Sequence, residues 1–151
     1  MSRSAVATIV LSAAALVGIA LSEGYSDTSI IPIKGDVPTI GFGTTEGVKL
    51  GDKTTPVKAL ARALADVQKY EGAVKKCVKV PLYQYEYDAY ISLSYNIGVG
   101  NFCGSSLVKK LNAEQYTDAC KEILRWDRAK GRVVKGLSIR RQKEYKQCLG
   151  N

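Results

Sequence analysis

Residues Glu23 to Thr45, EGYSDTSIIPIKGDVPTIGFGTT, decide the fold. A carboxylate, Glu23, follows an apolar run directly and precedes a segment punctuated by Gly and Pro. The segment reads as a hairpin: Ile30 to Ile33, a turn at Lys34-Gly35-Asp36, then Val37 to Phe42. Apolar and β-branched residues favour strands, and Gly-Asp supplies turn chemistry. Pro32 and Pro38 cannot donate to a ladder, which points to edge or irregular pairing. The hairpin places an acid at the end of one element, with Asp36 and Thr39 on the next. Two carboxyls facing each other across a groove can split a glycosidic bond.

With 151 residues the chain is one domain by default and long enough to bury a core. Its composition, 46% hydrophobic and 24% charged, is that of a globular protein and argues against disorder. A net charge of +8 suits an anionic partner: nucleic acid, anionic lipid or a bacterial cell wall. Solubility alone is the plain alternative. There is no histidine, so acid–base chemistry falls to Asp, Glu, Lys, Tyr or Cys. The four cysteines, Cys77, Cys103, Cys120 and Cys148, have no Cys-x-x-Cys spacing, which speaks against a zinc site. In an exported chain they imply two disulfides with three possible connectivities; in a cytosolic one, buried thiols. No cofactor or metal is expected.

The N-terminus decides between those compartments. Ser4 to Leu21, SAVATIVLSAAALVGIAL, carries no charge and follows Arg3. Eighteen uncharged residues just reach the length of a membrane span. Six of them are alanine, with Gly18, Ser4, Ser12 and Thr8 also inside, so the hold on lipid is weak. A cleaved signal peptide and a buried N-terminal helix are the rival readings. Cleavage there would leave Glu23 at a frayed terminus. The segment is therefore read as one that exports the protein and is retained, dividing the chain into an anchor (1–22) and a catalytic domain (23–151).

Downstream the pattern is helical. Thr54-Thr55-Pro56 opens a helix of roughly 20 residues with apolar positions from Val57 to Val74, ending near Cys77 before Pro81. Such a helix can join a small β lobe to a second lobe. Tyr83 to Ile97 places Tyr83, Tyr87, Tyr90, Ile91 and Ser94 on one helical face; these tyrosines are core residues or a platform for sugar rings. A turn is expected at Gly98, Gly100 and Asn101, then a short helix capped by Ser105 or Ser106. Asn112 is read as the cap of a helix from Ala113 to Asp127. Ala129 to Gly136 reads as a basic loop and Ser138 to Leu149 as the last helix. There is no internal repeat and no low-complexity linker.

Gly41-Phe42-Gly43 is not a dinucleotide fingerprint: position 46 is Glu and no βαβ unit surrounds it. Gly47 to Thr54 lacks Walker spacing. Nucleic-acid binding has only charge behind it, and no nucleic-acid partner is expected.

Taken together, several motifs resemble the phage-type lysozymes, the T-even phage lysozyme family. They are Glu23-Gly24-Tyr25, Pro38 to Thr44 (PTIGFGT), Tyr95-Asn96-Ile97-Gly98, Phe102 to Leu111, and Gly136-Leu137-Ser138-Ile139-Arg140-Arg141 with Glu144. They run in the family's order from residue 23 to about 149. The resemblance implies an α+β, mostly helical, lysozyme-like two-lobe fold. It would have a small β-hairpin lobe, a long connecting helix and a larger helical lobe, preceded by an N-terminal apolar helix. It also implies a monomeric muramidase that hydrolyses the β-1,4 bond between N-acetylmuramic acid and N-acetylglucosamine in peptidoglycan.

Carried over by position, Glu23 matches the general acid and Thr39 the threonine that helps place the attacking water. The third position departs from the pattern: the family usually has Asp or Cys nine residues after the Glu, where this chain has Pro32. Asp36 is the nearest carboxylate able to replace it, and Asp27 is the runner-up. One carboxyl must keep its proton for the leaving alkoxide, while its partner is ionised and activates water. Without the surrounding motifs Glu23 would be a surface helix-end glutamate, Asp36 a turn aspartate and Thr39 a strand residue.

The weakly apolar N-terminus further resembles the signal-arrest-release endolysins. That resemblance implies a protein held at the periplasmic face of the host inner membrane by residues 4–21, then released into the periplasm and active. No cysteine precedes Cys77, so thiol exchange between anchor and active site is excluded. The expected disulfides are Cys77–Cys103 and Cys120–Cys148, tying neighbouring helices of the large lobe. A lytic transglycosylase is the rival on the same substrate, since it needs no water-activating partner. A non-catalytic, membrane-anchored wall-binding protein is the rival from another class.

Overall fold

A computed structural model describes all residues, Met1–Asn151. The chain order is α1 (Ala13–Glu23), β1 (Ser26–Ile30), β2 (Thr39–Gly41), α2 (Pro56–Cys77), α3 (Gln84–Ile97), α4 (Val99–Cys103), α5 (Ser106–Asn112) and α6 (Tyr116–Glu122). A 3-10 turn (Ile123–Arg125), a second hairpin of β3 (Arg128–Ala129) and β4 (Arg132–Val133), and α7 (Lys135–Cys148) complete it. The element order is the expected one: mostly helical α+β, with an N-terminal helix, a small β hairpin, the long helix α2 and then a run of helices. The chain forms two compact units, Leu16–Lys69 and Met1–Ala15 with Tyr70–Asn151.

In the unit of residues 16–69, β1 and β2 pair antiparallel, with Ser26 opposite Gly41 and Ile30 opposite Thr39 and an irregular register between. The first strand begins four residues earlier than the sequence suggested, and the hairpin tip is longer. Pro32 and Pro38 remove two donors, so residues 31–38 leave the ladder and form an exposed loop closed by Asp36 N–H donating to the Ile33 carbonyl (2.9 Å). The hairpin sits against α2: a Cβ on Gly41 would come within 2.9 Å of the Ala59 Cβ, so a side chain there has no room. Thr55 caps α2 as expected, its hydroxyl accepting from Lys58 N–H at 3.4 Å, with Pro56 at the first helical position.

The second unit is built on α3, packed against α7. Tyr87 and Tyr90 are fully buried, as are Ile91, Leu93, Phe102, Leu107, Leu111 and Ile123. Of the two readings of the tyrosine face, these two residues take the core one: the phenol rings fill the interior and the Tyr87 hydroxyl donates to Glu71 (2.8 Å). Burial pushes both hydroxyls far above the ordinary tyrosine range. The glycines after Ile97 do not make a bare turn; Val99–Cys103 is a short helix. Ser105 caps α5, its hydroxyl accepting from Val108 N–H (3.3 Å). Asn112 is the last residue of α5 and does not cap the helix after it; its amide donates to the Cys77 carbonyl at the end of α2 and accepts from Lys79 N–H, both at 2.8 Å. The following helix, Tyr116–Glu122, is shorter than the expected Ala113 to Asp127 at both ends and gives way to the 3-10 turn. Cys77–Cys103 and Cys120–Cys148 are disulfide-bonded, as expected.

Residues 1–12 are not helical, and no helix is long and apolar enough to cross a membrane. They lie as a strap on the second unit. Ser4 pairs with Leu82 by two backbone hydrogen bonds (2.8 and 2.9 Å). Three buried carboxylates hold the strap. Glu86 accepts from both Arg3 Nη2 (2.8 Å) and Nε (3.1 Å), and the Arg3 guanidinium also lies over the rings of Tyr83 and Tyr116. Glu71 accepts from Leu11 N–H (2.7 Å). Asp88 accepts from the Ser12 N–H (3.0 Å) and hydroxyl (2.7 Å), while that hydroxyl accepts from Ala15 N–H (3.1 Å) and so caps α1.

Candidate active site

Glu23 is the last residue of α1, and Gly24, at φ +73°, turns the chain into β1. Only glycine takes that backbone geometry without strain. The Glu23 side chain is half-buried and lies over Gly43: an added Cβ there would stand 3.1 Å from its Oε2 and 3.3 Å from its Cγ. Gly43 is placed in turn by a tight loop. Ile40 and Thr44 exchange two backbone hydrogen bonds (2.9 and 3.0 Å), which closes Gly41-Phe42-Gly43 into a turn with φ +63° and +87° at its glycines. The buried Thr44 hydroxyl donates to Asp66 on α2 at 2.6 Å, and Arg62 stands 3.7 Å from the other Asp66 oxygen. Tyr25 packs on Phe42, ring centroids 5.2 Å apart. The glutamate is therefore seated on a turn that is itself tied to a helix.

Thr39 begins β2 opposite Ile30, half-buried, with its hydroxyl donating to the Val37 carbonyl at 3.2 Å. It lies four residues before the glycine under Glu23. Asp36 is in the exposed tip, beyond the last paired residues. Asp27 is on β1 itself, exposed, accepting from the Thr28 hydroxyl (3.1 Å). Sequence reasoning singled out Glu23, Asp36 and Thr39 but missed Gly43, Thr44 and Asp66 as the supports of the site. Thr44 and Asp66 are 22 residues apart, and no local pattern links a turn threonine to a helix aspartate.

The C-terminal motif Gly136 to Glu144 is structural. Arg141 is fully buried, and its Nε stands 2.7 Å from Glu144 Oε2. Glu144 Oε1 accepts from Ser92 (2.7 Å), Arg140 Nε (3.2 Å) and Arg141 Nη2 (3.2 Å). Burial raises the Glu144 carboxyl above its ordinary range against the opposing pull of the two arginines.

The phage lysozyme family model matches residues 20–144, from just before Glu23 to Glu144. This chain belongs to the phage lysozyme family. Among its relatives is the SAR-endolysin of Pseudomonas phage phiKMV, 41% identical over 142 residues, spanning 91% of this chain and 87% of the relative. Among solved structures, the endolysin from Escherichia coli O157:H7 phage FAHEc1 superposes with a TM-score of 0.83 at 34% identity, covering 94% of each chain. The muramidase domain of SpmX from Asticaccaulis excentricus gives 0.85 at 27% identity, covering 93% of this chain and 98% of that one. As a phage lysozyme, the chain keeps its motif glutamate at the end of a helix and its motif threonine at the start of β2.

Proposed function

We propose that this phage lysozyme is an endolysin with muramidase activity, hydrolysing the β-1,4 bond between N-acetylmuramic acid and N-acetylglucosamine for host lysis. The observation that carries the reading is Glu23, at a helix end and seated on the Gly43 turn, within a chain whose relatives are endolysins. Glu23 protonates the leaving oxygen. Asp36 is the ionised partner that activates water, and Thr39 helps to place that water.

Residues 4–21 first hold the enzyme at the inner membrane, and release activates it. The two states exclude each other. A bilayer span needs one continuous helix, whereas the strap has Ser4 paired with Leu82 and Ser12 capping α1. The strap is the released form.

Product analysis of digested cell wall tests the reaction. Reducing muramic-acid ends are expected, and 1,6-anhydro ends would establish a transglycosylase instead. Glu23→Gln should abolish clearing of purified sacculi; retained clearing removes Glu23 from the chemistry. Asp36→Asn should lose activity with Asp27→Asn near the parent. The reverse pattern in folded proteins transfers the second carboxylate to Asp27.

A further inference from the structure

The hairpin of β3 and β4 has no role in the chemistry above, yet its composition is distinctive. Every residue from Arg128 to Gly136 is exposed. Arg128, Lys130, Arg132 and Lys135 lie in this stretch, equal in charge to half of the chain's net +8. From Arg128 to Lys143 there is no Asp or Glu at all. The flanking carboxylates are already engaged: Asp127 accepts from the Ser138 hydroxyl (3.2 Å) and Glu144 is taken up by Arg140 and Arg141. Lys130, Arg132 and Lys135 make no ion pair, and Arg128 reaches only the Gly131 carbonyl at 3.4 Å.

The backbone presents these charges outward. Lys130 and Gly131 take φ +50° and +77°, the tight two-residue turn whose twist matches that of paired strands. Lys130 is thereby fixed at the apex with Arg128 and Arg132 on the two arms. Beside the cations stand three aliphatic side chains: Val133 (57% exposed), Val134 (39%) and Ile139 (51%). A stabilising network would pair such cations with acids, and here none is paired.

We propose that the β3–β4 hairpin docks on an anionic bilayer surface. Arg128 and Val133 are cross-strand partners on one face of the ribbon and Arg132 lies on the other; Lys130 at the apex and the two arginines meet lipid phosphates, and Val133 beside Arg128 enters the headgroup boundary. Charge complementarity argues for this occupant, and the aliphatic rim selects an interface with an apolar layer beneath its charges. The consequence is a second, reversible membrane contact, separate from residues 4–21, that keeps the protein at the lipid surface without spanning it.

Co-sedimentation of the full chain with vesicles of phosphatidylcholine, with or without phosphatidylglycerol, tests this. The parent should bind the phosphatidylglycerol vesicles, less so at high salt. The triple variant Arg128→Gln, Lys130→Gln, Arg132→Gln should bind them about 100-fold more weakly, from roughly fivefold per cation. All three positions are exposed, so thermal unfolding should be unchanged. On pure phosphatidylcholine the two proteins should behave alike. Binding of the variant equal to the parent on phosphatidylglycerol vesicles would place membrane contact elsewhere than this hairpin and overturn the proposal. Loss of binding to isolated sacculi, with vesicle binding intact, would overturn it in favour of the wall as partner. Glu23→Gln should keep full vesicle binding whatever it does to lysis, which separates this test from that of the muramidase reading.

Discussion

Replacing Gly43 with alanine isolates what the turn contributes to the proposed acid. Two effects are superimposed at this position. An L residue at φ +87° is strained by about 1–2 kcal/mol. The new Cβ would also stand 3.1 Å from Glu23 Oε2 and 3.3 Å from its Cγ, so the carboxyl must retreat by a few tenths of an ångström. Gly47→Ala supplies the control: its φ is +72°, and nothing lies within 4 Å of an added Cβ. At about 2–4 °C per kcal/mol for a chain of this size, both variants should lose roughly 2–8 °C in Tm. Only Gly43→Ala moves the glutamate. If 1 Å of misplacement costs about 100-fold, a few tenths should cost about 4- to 10-fold in rate. Clearing of purified sacculi, followed well below both melting temperatures, reads this out. Equal activities for the two variants would refute the reasoning, because the seat of Glu23 would then not matter to turnover.

Further outcomes follow from the helical unit. Glu144→Gln leaves the fully buried Arg141 without its carboxylate partner and should cost about 3–5 kcal/mol, read by chemical denaturation. Removing the Cys120–Cys148 crosslink by a double serine substitution opens a loop of sequence separation 28 and should cost about 3–4 kcal/mol in the same assay. Glu122 is held at a pKa of about 2, chiefly by hydrogen bonds from Lys110 and Ser106 with Arg125 assisting. Its folded-state value lies below its ordinary 4.5, so its contribution is present above about pH 4.5 and is lost as pH falls towards 2. The stability gap between parent and Glu122→Gln should therefore close over that window in thermal unfolding.

The helical half of the fold was legible because its signals are local. Thr55-Pro56 marks a helix start within three residues, and Ser105 satisfies a donor three residues on. The β hairpin was legible only in outline. Its turn at Gly35-Asp36 was readable, but where pairing begins depends on contacts that lie outside it: Ser29 N–H donates to the Asp52 carbonyl and Thr54 N–H to the Asp27 carbonyl. These long-range bonds pull Ser26 to Ile30 into the sheet, although Ser and Asp are weak strand formers. Asn112 failed for a similar reason. Its cap chemistry is real, yet the amide is drawn across to Cys77 and Lys79, more than 30 residues away. In the candidate site, Glu23 was singled out from its motif, while the Thr44–Asp66 bond had no signature in the sequence.

The N-terminal segment was the hardest to read because its composition fits two environments by narrow margins. Six alanines in eighteen residues give little to a bilayer, and they give equally little to a protein core. On the protein, Val6, Ile9 and Ile19 are buried, while Val10, Val17 and Leu21 stay exposed, so apolar burial alone is a modest force for docking. The polar contacts supply specificity instead. Glu71, Glu86 and Asp88 are buried, and each accepts hydrogen bonds from the strap. Without it they would have to be rehydrated or left short of donors, at about 1–3 kcal/mol for each group left unsatisfied. None of those three acids lies in the strap, so no hydropathy pattern within residues 4–21 could announce that the segment has a receptor.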